Sequence, residues 1–210
     1  MVPLSSFVAF GSVALTMALT PGPNQVYLVS RAVSQGRSAG LISLLGVLMG
    51  FLVYLILTVA GLTALFLANP LAYRVLCAAG ALYLAWLGWR ALRPGGASPF
   101  EARDLPPDRR RRLLGMGLAT NLLNPKTAVL YLSLLPQFLQ PARGHLILQG
   151  LQLGLLQIAV SACVNGAFVL GAGVLATFLA ARPALLSMQR GIMGLVLLGL
   201  SLHLMLGLRA

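Results

Sequence analysis

The stretch TPGPN at residues 20–24 puts two prolines and a glycine inside a run, residues 2–30, that carries no charged side chain. Proline removes a backbone donor and clashes with the turn before it, and glycine loosens what remains. A helix crossing lipid must break there. Unpaired main-chain groups are tolerated at that depth only where protein or a watery cavity supplies partners.

The rest of the chain places the run in lipid. Of its 210 residues 59% are hydrophobic and 9% charged, and the mean hydropathy is +0.91, too apolar for a domain whose surface faces water. Further uncharged runs at 38–73, 144–181 and 191–208 exceed or approach the roughly 18–20 residues that a helix needs to cross the hydrocarbon core. The chain reads as an all-α polytopic protein of the lipid bilayer. Its first segment has no basic leader region and no small-residue cleavage pattern before Pro21, so it is expected to be a retained span. Cys77 and Cys163 sit in apolar segments and act as small hydrophobes. A net charge of +12 would point a soluble protein toward nucleic acid. Here DRRRRLL, residues 108–114, precedes a span without interleaved aromatics, so it anchors topology and no nucleic-acid partner is expected. The three acids, Glu101, Asp104 and Asp108, are expected on a solvated loop face.

Six spans fit: about 4–30 with its break at 21–23, then 39–67, 70–90, 113–136, 145–180 and 184–207. Arg74 interrupts the third near its end, where a long side chain can snorkel, and Trp86 and Trp89 suit an interface. Eleven arginines fall on the side of the first, third and fifth connections and three on the other, which orients both termini to the periplasm and the 91–112 loop to the cytoplasm. That basic Pro/Gly-rich linker divides the chain into halves of three spans, 1–90 and 113–210. A shift of 104 residues aligns Pro21 with Pro125, Tyr27 with Tyr131, Gly46 with Gly150 and Gly50 with Gly154. A repeat of three spans lies upside down relative to its copy, the inverted architecture of many secondary transporters. The paired glycines are read as close-packing positions, the kind of face on which a homodimer would also form.

The counterpart of TPGPN is NLLNPKTAVLYLSLLPQF, residues 121–138. Lys126 lies fourteen residues after Arg112 and seventeen before Arg143, too deep for its ammonium to reach an interface easily. Ionisable groups at that depth are costly and mark function by default. The chain holds fourteen arginines and this one lysine, as though a compact ammonium able to lose its proton is needed where a permanently charged fork is not. The competing reading is a structural lysine held by carbonyls of a broken helix. Half-helices starting after Pro23 and Pro125 would aim N–H groups and positive dipole ends at one mid-membrane point, a seat for a carboxylate beside Lys126. Freed carbonyls, Asn24, Asn121, Asn124 and the hydroxyls of Tyr27 and Tyr131 would accept from an ammonium. Together these describe a zwitterionic amino acid. For Asn24 and Asn124 helix capping is an equal alternative, and for Tyr27 and Tyr131 packing is favoured over ligation.

TPGPN in the first span together with NPKTAVLYLSLLPQF in the fourth resembles the lysine-exporter superfamily, specifically its homoserine/threonine-resistance (RhtB-type) translocators. The similarity covers essentially the whole chain. It implies a bacterial inner-membrane exporter of amino acids or close derivatives driven by the proton-motive force, with Pro21, Gly22, Pro23, Asn24, Asn124, Pro125 and Lys126 on its signature elements. No acid lies in any span, so proton coupling would run through Lys126, a histidine (His145 or His203) or the substrate. That lack of acids favours neutral, homoserine- or threonine-like substrates over lysine. No nucleophile–base pair, carboxylate pair or metal-ligand cluster is evident, so neither an enzyme nor a cofactor or metal site is expected. Export of another small solute or of a metal ion, or a non-transporting membrane subunit, are the alternatives.

Overall fold

The computed structural model describes the backbone of residues 2–20, 22–68, 70–93, 107–180 and, in the last stretch, 191, 194–195, 197–202 and 205–206. Among these the chain is entirely helical, with no strand. The elements are α1 (Leu4–Leu19), α2 (Pro23–Gln35), α3 (Arg37–Ala68), α4 (Pro70–Leu92), α5 (Arg110–Leu122), α6 (Pro125–Val129) and α7 (Leu146–Ala180). Pro21, most of the 91–112 linker, including Glu101 and Asp104, and much of the expected sixth span with His203 lie outside the described residues.

Proline sets both breaks. Thr20 is extended (φ −68°, ψ 122°) because the residue before a proline is pushed out of the helical region, so α1 stops at Leu19. Pro23 then sits in the first turn of α2, where its missing N–H has no helical partner to lose. The two helices meet at 52°. In the second half α5 ends at Leu122, and Pro125 opens α6 after the extended Asn124. Beyond Val129 the helix continues as a π turn at Leu130–Leu134 and a 3-10 turn at Leu135–Phe138. Pro136 explains the irregularity, since its ring and missing N–H disrupt the regular ladder one turn back. Gly36 at φ 87° reverses the chain between α2 and α3 without the cost of a Cβ.

Shifted by 104 residues, α1 falls on 108–123 beside α5, α2 on 127–139 beside α6 and its continuation, and α3 on 141–172, overlapping α7 from residue 146. In space α3 lies against α5, α7 and α2, while α1 and α2 both lie against α7. The core is apolar, with Phe10, Leu28, Val47, Phe51, Tyr131 and Leu153 buried. The outside is apolar too: Leu4, Leu45, Ile56, Leu57, Leu82 and Val174 are all exposed. Such a belt suits lipid. By length and composition Arg37–Gly61 and Leu146–Val174 are each able to cross a membrane, and the bent α1–α2 pair passes the same test together, as a broken span or a re-entrant loop.

Glycines set how closely the helices approach. A Cβ on Gly46 would lie 2.2 Å from the Leu114 carbonyl, and one on Gly117 would lie 2.2 Å from the Ser43 carbonyl. Gly50 receives Asn121, Gly154 receives Leu55 and Gly150 faces Val59. In the last stretch Gly194 meets the backbone of Gly88, and Ser201 Oγ donates to the Ala81 carbonyl at 2.8 Å, tying residues 194–201 to α4. At the end of α4 the guanidinium of Arg90 lies 5.3 Å from the Trp86 ring centroid and that of Arg93 3.7 Å from the Trp89 ring, an arrangement suited to an interface.

Candidate functional site

A helix that stops at Leu19 leaves its last carbonyls without helical donors. Side chains from beyond the breaks fill the gap. Lys126 Nζ donates to the Met17 carbonyl at 2.9 Å and the Thr20 carbonyl at 2.7 Å, and Gln25 Nε2 donates to the Ala18 carbonyl. The lysine of one half therefore closes the end of the broken helix in the other. An ammonium has three donors, and these two bonds leave the third toward a cavity that Lys126 also lines.

The backbone at the break is shaped around this side chain. Gly22 is extended (φ −162°, ψ 178°), a conformation open to any residue, so its glycine is not explained by dihedral freedom. Close approach explains it: a Cβ there would sit 3.0 Å from Lys126 Nζ and 3.2 Å from Cε. In the 104-residue register Lys126 is the counterpart of Gly22. The long side chain of one repeat position thus occupies room that the other leaves free.

The cavity measures about 20 Å³, enough for about one water molecule and too small for an amino acid. Met17 and Ala18 of α1, Asn24 and Gln25 of α2, and Phe51 of α3 form part of its wall. Lys126, Thr127 and Leu130 come from α6 and its continuation, and Gln157, Ser161 and Asn165 from α7. Both break elements thus converge on one point with α3 and α7.

The residues singled out from the sequence take different places around this point. Asn24 lines the cavity from within the first turn of α2, buried, with its Oδ1 unpaired among the described residues. Asn124 is instead a helix cap, its Oδ1 accepting from the Lys126 N–H at 3.0 Å. Asn121 is fully buried against Gly50, away from the cavity lining. Tyr27 also lies off the lining: its hydroxyl donates to the Leu113 carbonyl at 3.0 Å and lies 3.1 Å from Ser43 Oγ. Tyr131 is fully buried, stacks on Tyr54 with centroids 5.7 Å apart and donates to Gln157 Oε1 at 2.5 Å. Pro23 and Pro125 start the two half-helices; Pro21 lies outside the described residues.

Five polar lining residues were not singled out: Gln25, Thr127, Gln157, Ser161 and Asn165. Three of them had a readable signal. Gln157, Ser161 and Asn165 recur every fourth residue along an apolar helix, so they share one face. Gln157 Nε2 donates to Ser161 Oγ at 2.7 Å, and Asn165 Nδ2 to the Ser161 carbonyl at 2.9 Å.

Asp108 departs from the expected solvated face. Its side chain is 5% exposed and pairs with Arg31 of α2, while Gln35 Nε2 donates to the same carboxylate at 3.0 Å and Arg112 Nη1 lies 3.1 Å away. The Asp108 N–H donates to Gln35 Oε1 at 2.9 Å. An acid just before the start of α5 is also favoured by the helix dipole. This latch joins the end of α2 farthest from the break to the start of α5. The Gln35 hydrogen bond, helped by Arg31 and Arg112, holds the Asp108 carboxyl below the usual carboxylate range against the opposing effect of desolvation. A lowered folded value means that the stabilisation is complete above the ordinary value and is lost as pH falls through the lower one. The melting temperature of the detergent-solubilised protein should therefore hold from neutrality down to about pH 5 and drop toward about pH 3. Asp108→Asn should flatten that acid limb and melt lower at neutrality; an unchanged limb would show that the latch does not contribute.

A family model described as LysE type translocator matches residues 15–208. The chain is 33% identical over 149 residues to a homoserine/homoserine lactone efflux protein of Salmonella typhimurium, covering 70% of this chain and 71% of that one. It is 32% identical over 161 residues to an uncharacterized membrane protein of Vibrio cholerae, covering 75% and 76%. Similarity to a leucine efflux protein of Klebsiella pneumoniae runs over 191 residues at 26% identity, covering 91% and 90%. No solved structure matches the chain.

Proposed function

The chain belongs to the family of LysE type translocators, and from that membership we propose that it is a secondary exporter of neutral amino acids or close derivatives across the bacterial inner membrane. The relatives named for homoserine, homoserine lactone and leucine efflux support a substrate with an uncharged side chain. The observation that carries the reading is the lysine ammonium held at a helix break, facing a cavity whose other lining groups are uncharged. A cation there, beside the N-terminal turns of α2 and α6, is a seat for a carboxylate.

In this reading the chain crosses the membrane six times as two inverted halves, 1–90 and 113–210, with both termini periplasmic. The agreement of helix boundaries under the 104-residue shift supports it. Transport is alternating access around the two breaks. The small cavity corresponds to a contracted conformer that widens to take substrate. Proton coupling runs through Lys126: its ammonium bonds Met17 and Thr20, gives up a proton to the cytoplasm in the inward-facing state and regains one from the periplasm in the outward-facing state, so that proton entry drives substrate exit. Pro21, Gly22 and Pro23 form the first break and Pro125 opens the second half-helix. Asn24 contacts substrate, whereas Asn121, Asn124, Tyr27 and Tyr131 position the elements around it.

Everted membrane vesicles containing the protein test the reading. With an inward-acid gradient they should accumulate labelled homoserine, threonine or leucine several-fold over vesicles without it, and an uncoupler should abolish the difference. Accumulation of lysine alone, or of no amino acid, would overturn the proposal.

A further inference from the structure

Three residues of the cavity lining each carry a buried amide oxygen without a donor among the described residues. Asn24 Oδ1, Gln25 Oε1 and Asn165 Oδ1 belong to residues 6%, 5% and 4% exposed that line it, and none accepts a hydrogen bond among the described residues. For two of them the orientation of the amide follows from its other end. Gln25 Nε2 donates to the Ala18 carbonyl and Asn165 Nδ2 to the Ser161 carbonyl, so the atoms left over are oxygens. Buried acceptors of this kind are costly unless a donor reaches them. Lys126 does not serve them; its bonds go to main-chain carbonyls of α1.

We infer that Asn24, Gln25 and Asn165 form the seat of the substrate's ammonium group, three neutral acceptors for the three N–H bonds of a primary ammonium. The inference rests on the export reading and deepens it by naming the part of the substrate that α2 and α7 recognise. The acceptors carry no charge, and no carboxylate lines the cavity among the described residues. They suit a single ammonium without rewarding a second positive charge, which Lys126 in the same wall opposes. Gln157 is a positioning residue. Its Oε1 is taken by Tyr131 and its Nε2 by Ser161, and the Ser161 carbonyl in turn holds Asn165. The substrate class is therefore an α-amino acid with a primary amine and an uncharged side chain, the latter set against Met17, Phe51 and Leu130.

The test uses the full chain in proteoliposomes, with counterflow of labelled leucine as the readout. Competitors are leucine, its N-methyl, N,N-dimethyl and N,N,N-trimethyl derivatives, and 4-methylpentanoate, which lacks the amine. Each N–H replaced by methyl should raise the half-inhibitory concentration about tenfold, because a hydrogen bond to a charged donor is lost each time. A trimethyl derivative competing within about threefold of leucine would overturn the inference, since charge alone would then suffice. Asn165→Leu should raise the half-saturation for leucine about tenfold while leaving the weak competition by 4-methylpentanoate unchanged. Equal loss for both would also overturn it. If that variant does not fold, the methylation series on the unaltered protein decides. Counterflow with a flat series removes this inference alone; absence of counterflow with any amino acid removes the export reading and the inference with it.

Discussion

Lys126→Met is expected to abolish amino-acid counterflow in proteoliposomes while leaving protein that still folds, with a lower melting temperature. Two losses are combined in that variant. In the export reading the carboxylate of the substrate loses a charged donor, a contribution of about 1.5–3 kcal/mol, or roughly ten- to a hundredfold in binding. The Met17 and Thr20 carbonyls also lose the donor that closes α1, which is the source of the lower melting temperature. Lys126→Arg separates the roles. Arginine keeps the charge and can reach main-chain carbonyls, but it does not give up its proton at physiological pH. That variant should exchange labelled for unlabelled substrate, which requires no proton cycle, and fail to accumulate substrate against an imposed pH gradient. Accumulation at the native level would remove Lys126 from proton coupling. A folded Lys126→Met that exchanges at the native rate would make the residue structural, a plug for α1 and nothing more.

This pair of variants is needed because the geometry serves both readings of Lys126. Its depth and its being the chain's sole lysine were legible in the sequence, as was the proline break it faces. That carbonyls of a broken helix could hold it was also legible; which carbonyls was not, because Met17 and Thr20 lie more than a hundred residues away. Local rules carried furthest where backbone chemistry decides: Pro23 and Pro125 open helices for reasons contained in the residues themselves. They carried least for polar side chains. Asn24 and Asn124 occupy similar motifs, yet one faces the cavity and the other caps α6, because the second half has one proline where the first has two and its helix starts one residue after the asparagine. Tyr27 and Tyr131 match in the repeat, but one hydroxyl meets the backbone of α5 and the other Gln157 of α7. Asp108 was expected in solvent because its neighbours are arginines and prolines; its burial comes from Arg31 and Gln35 on α2, which only the fold brings near. The polar face of α7 was present as a four-residue period, but its importance depends on a cavity formed by four other elements.

Gly46→Val and Gly117→Val should each remove most folded protein from the membrane, the largest stability effects expected in the chain. At both positions the obstacle is backbone: a Cβ at Gly46 meets the Leu114 carbonyl and one at Gly117 meets the Ser43 carbonyl, each at 2.2 Å. A flexible side chain can swing aside, as Lys126 can at Gly22, whereas a carbonyl moves only with its helix. Overpacking typically costs about 1–3 kcal/mol and rises where the backbone must separate. Membrane helices without a hydrophobic drive between them depend on such close approach. Gly115 is the internal control. It lies on α5 between Leu114 and Gly117, with nothing within 4 Å of a Cβ, so Gly115→Ala should be neutral or stabilising by up to about 1 kcal/mol from helix propensity. Melting temperature and yield of monodisperse protein distinguish the outcomes. If Gly46→Val and Gly117→Val fold as well as Gly115→Ala, α3 and α5 are not held backbone to backbone. If they fail as expected, α3 and α5 are held backbone to backbone along this seam.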